Sequence, residues 1–349
     1  MKIKLLLILI STQLALFGCG QSGSVSAVAP SNEGEQGERP PPTPGFRPMS
    51  ESISASGEVP KIDLLVVMDN SRSMKYEQSS ISTRFSSFID QLKNIDWQLA
   101  ISTTDVSGTG EMKDGRFVKF KNTNQYFINS NENLELTKKL FSDTIQVGSF
   151  GSGEEQGIKA TYRALERSLD VKDDNSRFVR DQAGLAIILV TDADETLAQN
   201  QLPTFRNDPT QLLAFINKSW PQKKVRFHSI IVKPEDDVCL KNTSARNENE
   251  DYGKTYFDIS QRTEGIVGSV CEEDYGSQLS AIGDSTNNLI RQYILKCEPQ
   301  DINSDGKIDL IVKNLSSNSE IKNFKVQKNK LEFDQPLAGG NYKVEYYCK

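Results

Sequence analysis

Leu64-Leu65-Val66-Val67-Met68-Asp69-Asn70-Ser71-Arg72-Ser73-Met74 sets an unbroken apolar run directly against a loop of short oxygen-bearing side chains. An apolar run without alternation is the mark of a strand covered on both faces, as in a parallel sheet. Asp69, Ser71 and Ser73 recur at every second position just beyond it. In open α/β sheets, binding sites form where strands end at their carboxyl side. Three such oxygens in one tight loop can converge on a small hard cation.

Working outward, helical and strand patterns alternate. Ser79 to Ile95 has helical spacing through Ile81, Phe85, Phe88, Ile89 and Leu92. Trp97 to Thr103 reads as a second strand, and Arg116 to Lys121 with Tyr126 to Ile128 as an edge hairpin. Helices are expected at 134–145, 155–169, 209–220 and 275–295, and further strands at 185–190 and 225–232. This repetition predicts an α/β fold with a doubly wound, mainly parallel sheet over residues 60–296. After Cys297 the pattern changes to short strands at 308–312, 324–327, 331–333 and 342–347, with turn residues Asn329 and Gly339-Gly340 between them. Residues 297–349 are therefore expected to form a small all-β domain, of a size that usually needs a staple.

Ahead of the body, Lys2 and Lys4 precede an apolar stretch from Leu5 to Phe17 that is too short to span a bilayer and reads as a secretory signal. It ends in Leu16-Phe17-Gly18-Cys19, which resembles the lipobox of bacterial lipoproteins. The resemblance implies cleavage after residue 18, lipidation of Cys19, and contact with a membrane through that anchor alone. Phe17 is unusual two positions before the Cys, and an ordinary cleaved signal is the alternative. Gly20 in place of an acidic residue points to the outer membrane, facing the periplasm or the surface. Residues 19–59, rich in Ser, Gly, Glu and Pro, read as a flexible tether.

The chain has five Cys. With Cys19 assigned to the lipid, Cys239, Cys271, Cys297 and Cys348 form an even set in an exported protein, as disulfides require. Four Cys allow three pairings; Cys239–Cys271 and Cys297–Cys348 keep each bridge inside one expected domain. Zinc is the alternative, but no CxxC spacing occurs.

The 69–73 loop resembles the DxSxS motif of the von Willebrand factor A family, where it opens a metal-ion-dependent adhesion site. The resemblance covers about Lys61 to Cys297. It implies Mg²⁺ or Mn²⁺ bound directly by Ser71 and Ser73, and by Asp69 directly or through water. Asp192, in Leu189-Val190-Thr191-Asp192 at the end of a second buried strand, matches the distal Asp of that motif. The bland readings are a helix N-cap for Asp69 and a turn residue for Asp192. Asp194 and Glu195 stand nearby, as outer supports of the site or as solvated surface.

The middle element departs from the family. Its usual Thr is absent from Gly148-Ser149-Phe150-Gly151-Ser152-Gly153-Glu154-Glu155-Gln156-Gly157, leaving Ser152, Glu154 and Glu155 as candidates. This loop and Thr103-Thr104-Asp105 resemble a bacterial lipoprotein subgroup of the family. A Glu here would lower the net charge of the site and weaken its hold on an acidic partner.

A second loop runs from Asp301 to Val312. Asp301, Asn303, Asp305, the Lys307 carbonyl and Asp309, with Gly306 at the sixth position, match a Ca²⁺ loop, although Val312 stands where an EF-hand carries Glu. An Asn/Asp/Gly turn leading into a strand fits equally well.

With charged residues at 25% and a formal net charge of −6, the chain has no basic stripe for nucleic acid. His228 is the only His, so no Ser-His-Asp or Cys-His set can form. Asp63, inside the first strand, reads as an orienting residue. The expected function is binding rather than catalysis: an envelope lipoprotein holding a macromolecular partner through the metal, the partner supplying an acidic oxygen. A metal-assisted hydrolase and a scaffold with a degenerate site are the alternatives.

Overall fold

The computed structural model describes residues 45–195, 197, 202–244 and 251–349. The expected signal peptide, Cys19 and most of the expected tether lie outside the described residues.

The protein is mixed α/β with a mostly parallel central sheet and two smaller antiparallel sheets. The strands are β1 (Arg47–Ala55), β2 (Lys61–Met68), β3 (Asp96–Thr103), β4 (Phe127–Asn129), β5 (Ala183–Val190), β6 (Val225–Ile231), β7 (Val267–Ser269), β8 (Gln292–Ile294), β9 (Leu310–Asn314), β10 (Glu320–Ile321), β11 (Phe324–Gln327), β12 (Lys330–Phe333) and β13 (Gly340–Cys348). The helices are α1 (Lys75–Ile89), α2 (Leu134–Ile145), α3 (Gly157–Ser168), α4 (Pro209–Ser219), α5 (Asp237–Ser244), α6 (Lys254–Arg262) and α7 (Tyr275–Arg291). None of the described helices is long and apolar enough to cross a membrane.

The central sheet has the order β4-β3-β2-β5-β6-β7. All its pairings are parallel except that of the edge strand β4 with β3. Strand β2 is buried along its length because both faces are covered. Leu64, Val66 and Met68 pack with Ile81, Phe85 and Phe88 of α1 and with Leu279 and Ile282 of α7. Leu65 and Val67, on the opposite face, pack with Ile158 and Leu165 of α3, Ile216 of α4 and Ile259 of α6. The period-2 strand geometry thus divides one continuous apolar run between two cores. Phe85 stacks on Phe141 of α2 with ring centroids 3.6 Å apart, closing the first core at its outer side.

Chain order reverses beside β2, since β3 lies on one side of it and β5 on the other. The loops leaving β2 and β5 diverge there, which opens a crevice at the carboxyl ends of the strands. At the other end of β2, buried Asp63 accepts from Arg180 Nε at 2.7 Å and from the Arg180 backbone N–H at 2.8 Å. This is the orienting role expected of it. Burial raises its carboxyl to about 6 even against the pull of Arg180.

Several expectations are corrected. The tether does not run to residue 59, because Arg47–Ala55 forms β1 and pairs antiparallel with β13 from Arg47↔Cys348 to Ala55↔Gly340. Alternating polar residues on an edge strand carry little apolar signal, so the stretch reads as linker until its partner is known. The all-β part also starts before Cys297: the last helix stops at Arg291, and 292–294 forms β8, which pairs with β12. The small sheets are ordered β1-β13-β9-β10 and β11-β12-β8, around a core that includes Val312, Leu331, Phe333, Tyr342, Val344 and Tyr346. The 116–121 segment forms no strand and docks on β3 through the Val118 N–H to the Ile101 carbonyl. Both expected disulfides are present, Cys239–Cys271 and Cys297–Cys348.

Candidate metal centre

Asp69 leaves β2 at the crevice and is fully buried. Its backbone N–H donates to the Val190 carbonyl of β5 at 2.9 Å, tying the two strand ends together. One carboxylate oxygen accepts from the Ser71 N–H at 2.7 Å and the other from Thr191 Oγ1 at 2.7 Å. The first bond curls the chain so that the Ser71 and Ser73 hydroxyls lie 3.0 Å apart. Ser73 Oγ then donates to Asp192 Oδ1 at 3.1 Å. The four residues singled out in the sequence therefore meet in one place. Asp69 is not the N-cap of α1, which starts six residues later and is preceded by Met74.

Of the three candidates for the middle position, the structure brings Glu155 to this group. Its buried side chain lies close to Ser71 and feels the charges of Asp69 and Asp192. Ser152 instead serves the loop: its N–H donates to Asp105 Oδ2 at 3.2 Å and its hydroxyl accepts from the Glu154 N–H at 3.1 Å. Glu154 is only half-buried. Asp105, at the end of β3, also takes the Ser107 N–H and lies 3.3 Å from Lys113 Nζ, which makes it the anchor of the Glu155 loop. The loop presses on the 69–73 turn through the Gly151 N–H to the Asn70 carbonyl, at 2.9 Å. A Cβ at Gly151 would fall 2.3 Å from Asn70 Oδ1, so the close approach depends on glycine there.

A further acidic residue is present that the motif does not name. Glu77, in the first turn of α1, is 1% exposed and acts electrostatically on Asp192. It lies four residues after Ser73, hence on the same side of the chain once α1 begins. The available signal was an acid at the start of a helix, which also has the ordinary meaning of a favourable dipole contact.

The electrostatics are lopsided. Burial, then the charges of Asp69 and Asp192, push the Glu155 carboxyl well above its usual range. Burial, then Asp69, with Glu77 adding, does the same for Asp192. Glu155 Oε2 and Asp192 Oδ2 are buried and have no hydrogen-bond partner. Unpaired buried carboxylate oxygens are costly, and a cation is the simplest group that satisfies two at once. Carboxylates and hydroxyls are the donor set of a hard divalent ion. Among the described residues, no three acidic, His or Cys side chains close into a coordination sphere by themselves.

Asp194 and Glu195 turn away from this group to hold helices. Asp194 accepts from the Thr255 N–H of α6 at 3.1 Å. Glu195 accepts from the Ile158 and Lys159 N–H groups of α3 at 2.8 and 3.1 Å, and from Tyr256 and Asn207. His228 is fully buried in β6, accepting from the Ile266 N–H at 3.0 Å with Thr286 Oγ1 3.2 Å from its other nitrogen.

In the 301–309 loop, Asp301 accepts from the Ser304 and Gly306 N–H groups, Asn303 from that of Asp305, Asp305 from that of Lys307, and Asp309 from that of Ile302. Gly306 takes φ +83°, as its place in the turn requires. These side-chain oxygens are engaged by the backbone, as a turn demands.

No family model and no curated protein matches the chain. Among solved structures it is similar to proximal thread matrix protein 1 from the mussel byssus, with 11% identity and a TM-score of 0.37 over 72% of this chain and 50% of that one. It is also similar to the pilus adhesin SpaC from Lactobacillus rhamnosus GG in its open conformation, with 10% identity and a TM-score of 0.35 over 87% and 41%. The chain spans about half the length of these two proteins or less.

Proposed function

We propose that this protein is a lipid-anchored envelope protein with a von Willebrand factor A-like body, which binds a macromolecular partner through a divalent cation. Asp69, Ser71, Ser73, Glu155 and Asp192 hold the ion, Mg²⁺ or Mn²⁺, in this reading. The supporting observation is the pair of buried, unpartnered oxygens on Glu155 and Asp192 beside the linked Ser71 and Ser73 hydroxyls. Cys19 supplies the anchor and places the body at the outer membrane. Binding is favoured over hydrolysis because the one imidazole of the chain is sealed in β6, away from these residues. The partner is held by whatever coordination position the five side chains leave open.

Calorimetric titration of the purified protein with Mn²⁺ tests the core of this reading. Saturable binding at one site, abolished in Asp69→Ala and in Asp192→Ala, is expected. The absence of binding in the wild-type protein would remove it. The 301–309 loop carries the lesser claim. A plain turn accounts for each bond it makes, and Ca²⁺-dependent melting lost in Asp305→Ala is the observation that would add a second metal.

A further inference from the structure

After β3 the chain folds back along the outer edge of the central sheet, and residues 106–126 form no strand. The backbone is held firmly around Arg116. Its carbonyl accepts from Ser102 Oγ at 3.1 Å, the Phe117 N–H donates to Asn175 Oδ1 at 2.9 Å, and the Gly115 carbonyl accepts from Asn175 Nδ2 at 2.8 Å. Most charges nearby are matched: Asp105 lies 3.3 Å from Lys113, Asp114 2.7 Å from Arg163, and Asp173 2.7 Å from Arg167. Arg116, Glu111 and Asp174 are not, and form no ion pair among the described residues. All three line one cavity of about 310 Å³, whose apolar wall is made by Met112, Phe117, Val118 and the Tyr126 ring. Arg116 Nη1 is buried there without a hydrogen-bond partner. A buried guanidinium nitrogen with no acceptor is costly, so the cavity lacks an anionic oxygen. Asp174 and Glu111 both act electrostatically on the Tyr126 hydroxyl, which marks that side of the cavity as acidic. Lys119, the other cation of the lining, is exposed to solvent.

We propose that this cavity binds a small zwitterion, an α-amino acid with an apolar side chain. Its carboxylate accepts from Arg116, its ammonium meets Asp174 and Glu111, and its side chain lies on the apolar wall. A guanidinium suits a carboxylate, because its N–H groups match the two oxygens and the bond is charge-assisted. A simple anion would satisfy Arg116 but would face two carboxylates. A simple cation would suit the carboxylates and leave Arg116 Nη1 unpaired. A ligand carrying both charges answers both sides at once. The volume lies at the lower end of the range for ligand pockets, which suits a single amino acid rather than a peptide. The fixed backbone on either side of Arg116 means that little ordering has to accompany binding. None of these residues belongs to the proposed metal centre, so the two readings stand or fall separately.

Calorimetric titration in EDTA, which keeps metal out of the measurement, compares L-leucine with leucinamide, which lacks the carboxylate, and N-acetyl-leucine, which lacks the ammonium. Leucine is expected to bind saturably at one site, and each derivative about tenfold or more weaker. Arg116→Met should weaken leucine by a similar factor and remove its advantage over leucinamide. The ligand-free melting temperature of that variant should not fall, because the guanidinium has no partner to lose. Asp174→Asn, at an exposed position, should weaken leucine and leave N-acetyl-leucine unchanged. Absence of saturable leucine binding overturns the proposal, as do equal affinities for the three compounds or an unchanged leucine affinity in both variants. A ligand-free Arg116→Met that melts well below wild type would show that the guanidinium serves the fold, and would overturn it too.

Discussion

Ser73 Oγ and Asp192 Oδ1 meet at 3.1 Å across 119 residues of chain. That hydrogen bond joins the loop after β2 to the loop after β5, and with Glu155 and Glu77 it defines a buried acidic centre. Buried acidic groups that repel one another are expected to destabilise the protein, and the cation proposed above would relieve them.

Asp192→Asn keeps the acceptor for Ser73 and removes one charge. In EDTA it is expected to be more stable than wild type by roughly 1 kcal/mol, as when a strained functional site is relaxed. With Mg²⁺ at about a hundred times its Kd, wild type gains about 2.7 kcal/mol and the variant gains little. Urea denaturation with and without Mg²⁺ reads both effects. Equal stabilities of the two proteins in both media would contradict the assignment.

Arg180 holds buried Asp63 at the far end of β2 and also reaches Asp96 Oδ1 at 2.8 Å. Arg180→Ala leaves a buried carboxyl without its counter-charge and is expected to cost about 3–5 kcal/mol. Adding Asp63→Asn should recover part of the loss, measured as a rise in the urea midpoint at unchanged slope. Additive losses in the double variant would show that the two residues act independently.

His228 gives a pH dependence of known sign. Burial, then the charge of Arg226, lowers its pKa from 6.5 to about 3. The folded protein therefore binds this proton less readily than the unfolded chain. The stabilisation is complete above pH 6.5 and is lost as pH falls towards 3. Between pH 7 and pH 5 the loss is about 2 kcal/mol. Carboxyls such as Asp63 titrate in the opposite sense, so the measurement is the difference between wild type and His228→Gln. Wild type should lose about 2 kcal/mol more over that interval, and parallel pH curves would refute the prediction.

Cys297–Cys348 ties the segment just after β8 to the end of β13, across a sequence separation of 51. In the chain-entropy account, such a loop stabilises by about 4 kcal/mol. Replacing both Cys with Ala should make β1 and β13 the first elements to open, seen as faster amide exchange there than in β2 or β5. Uniform exchange across all four strands would show that the bridge is not what holds the small sheets.

Much of this was legible in the chain itself. The apolar runs 64–68 and 185–190 mark buried parallel strands because nothing but coverage on both faces tolerates them in water. Asp69 and Asp192 could be placed at the ends of those strands from position alone, and the cysteine count fixed how many bridges to expect. What could not be read was which of several similar residues on one loop turns inward. Ser152, Glu154 and Glu155 differ by one to three positions; the choice of Glu155 rests on Asp105 and Asn70, which grip the loop from two other strand ends. Glu77 was hidden as an ordinary acid in a first helical turn, and β1 as part of a polar tether. Both acquire their meaning from partners distant in sequence. Periodic burial of apolar side chains is a local property, written along the chain. The meeting of charges and the pairing of an edge strand are contacts across it, decided only when the β2 and β5 ends come together and β13 returns to Arg47.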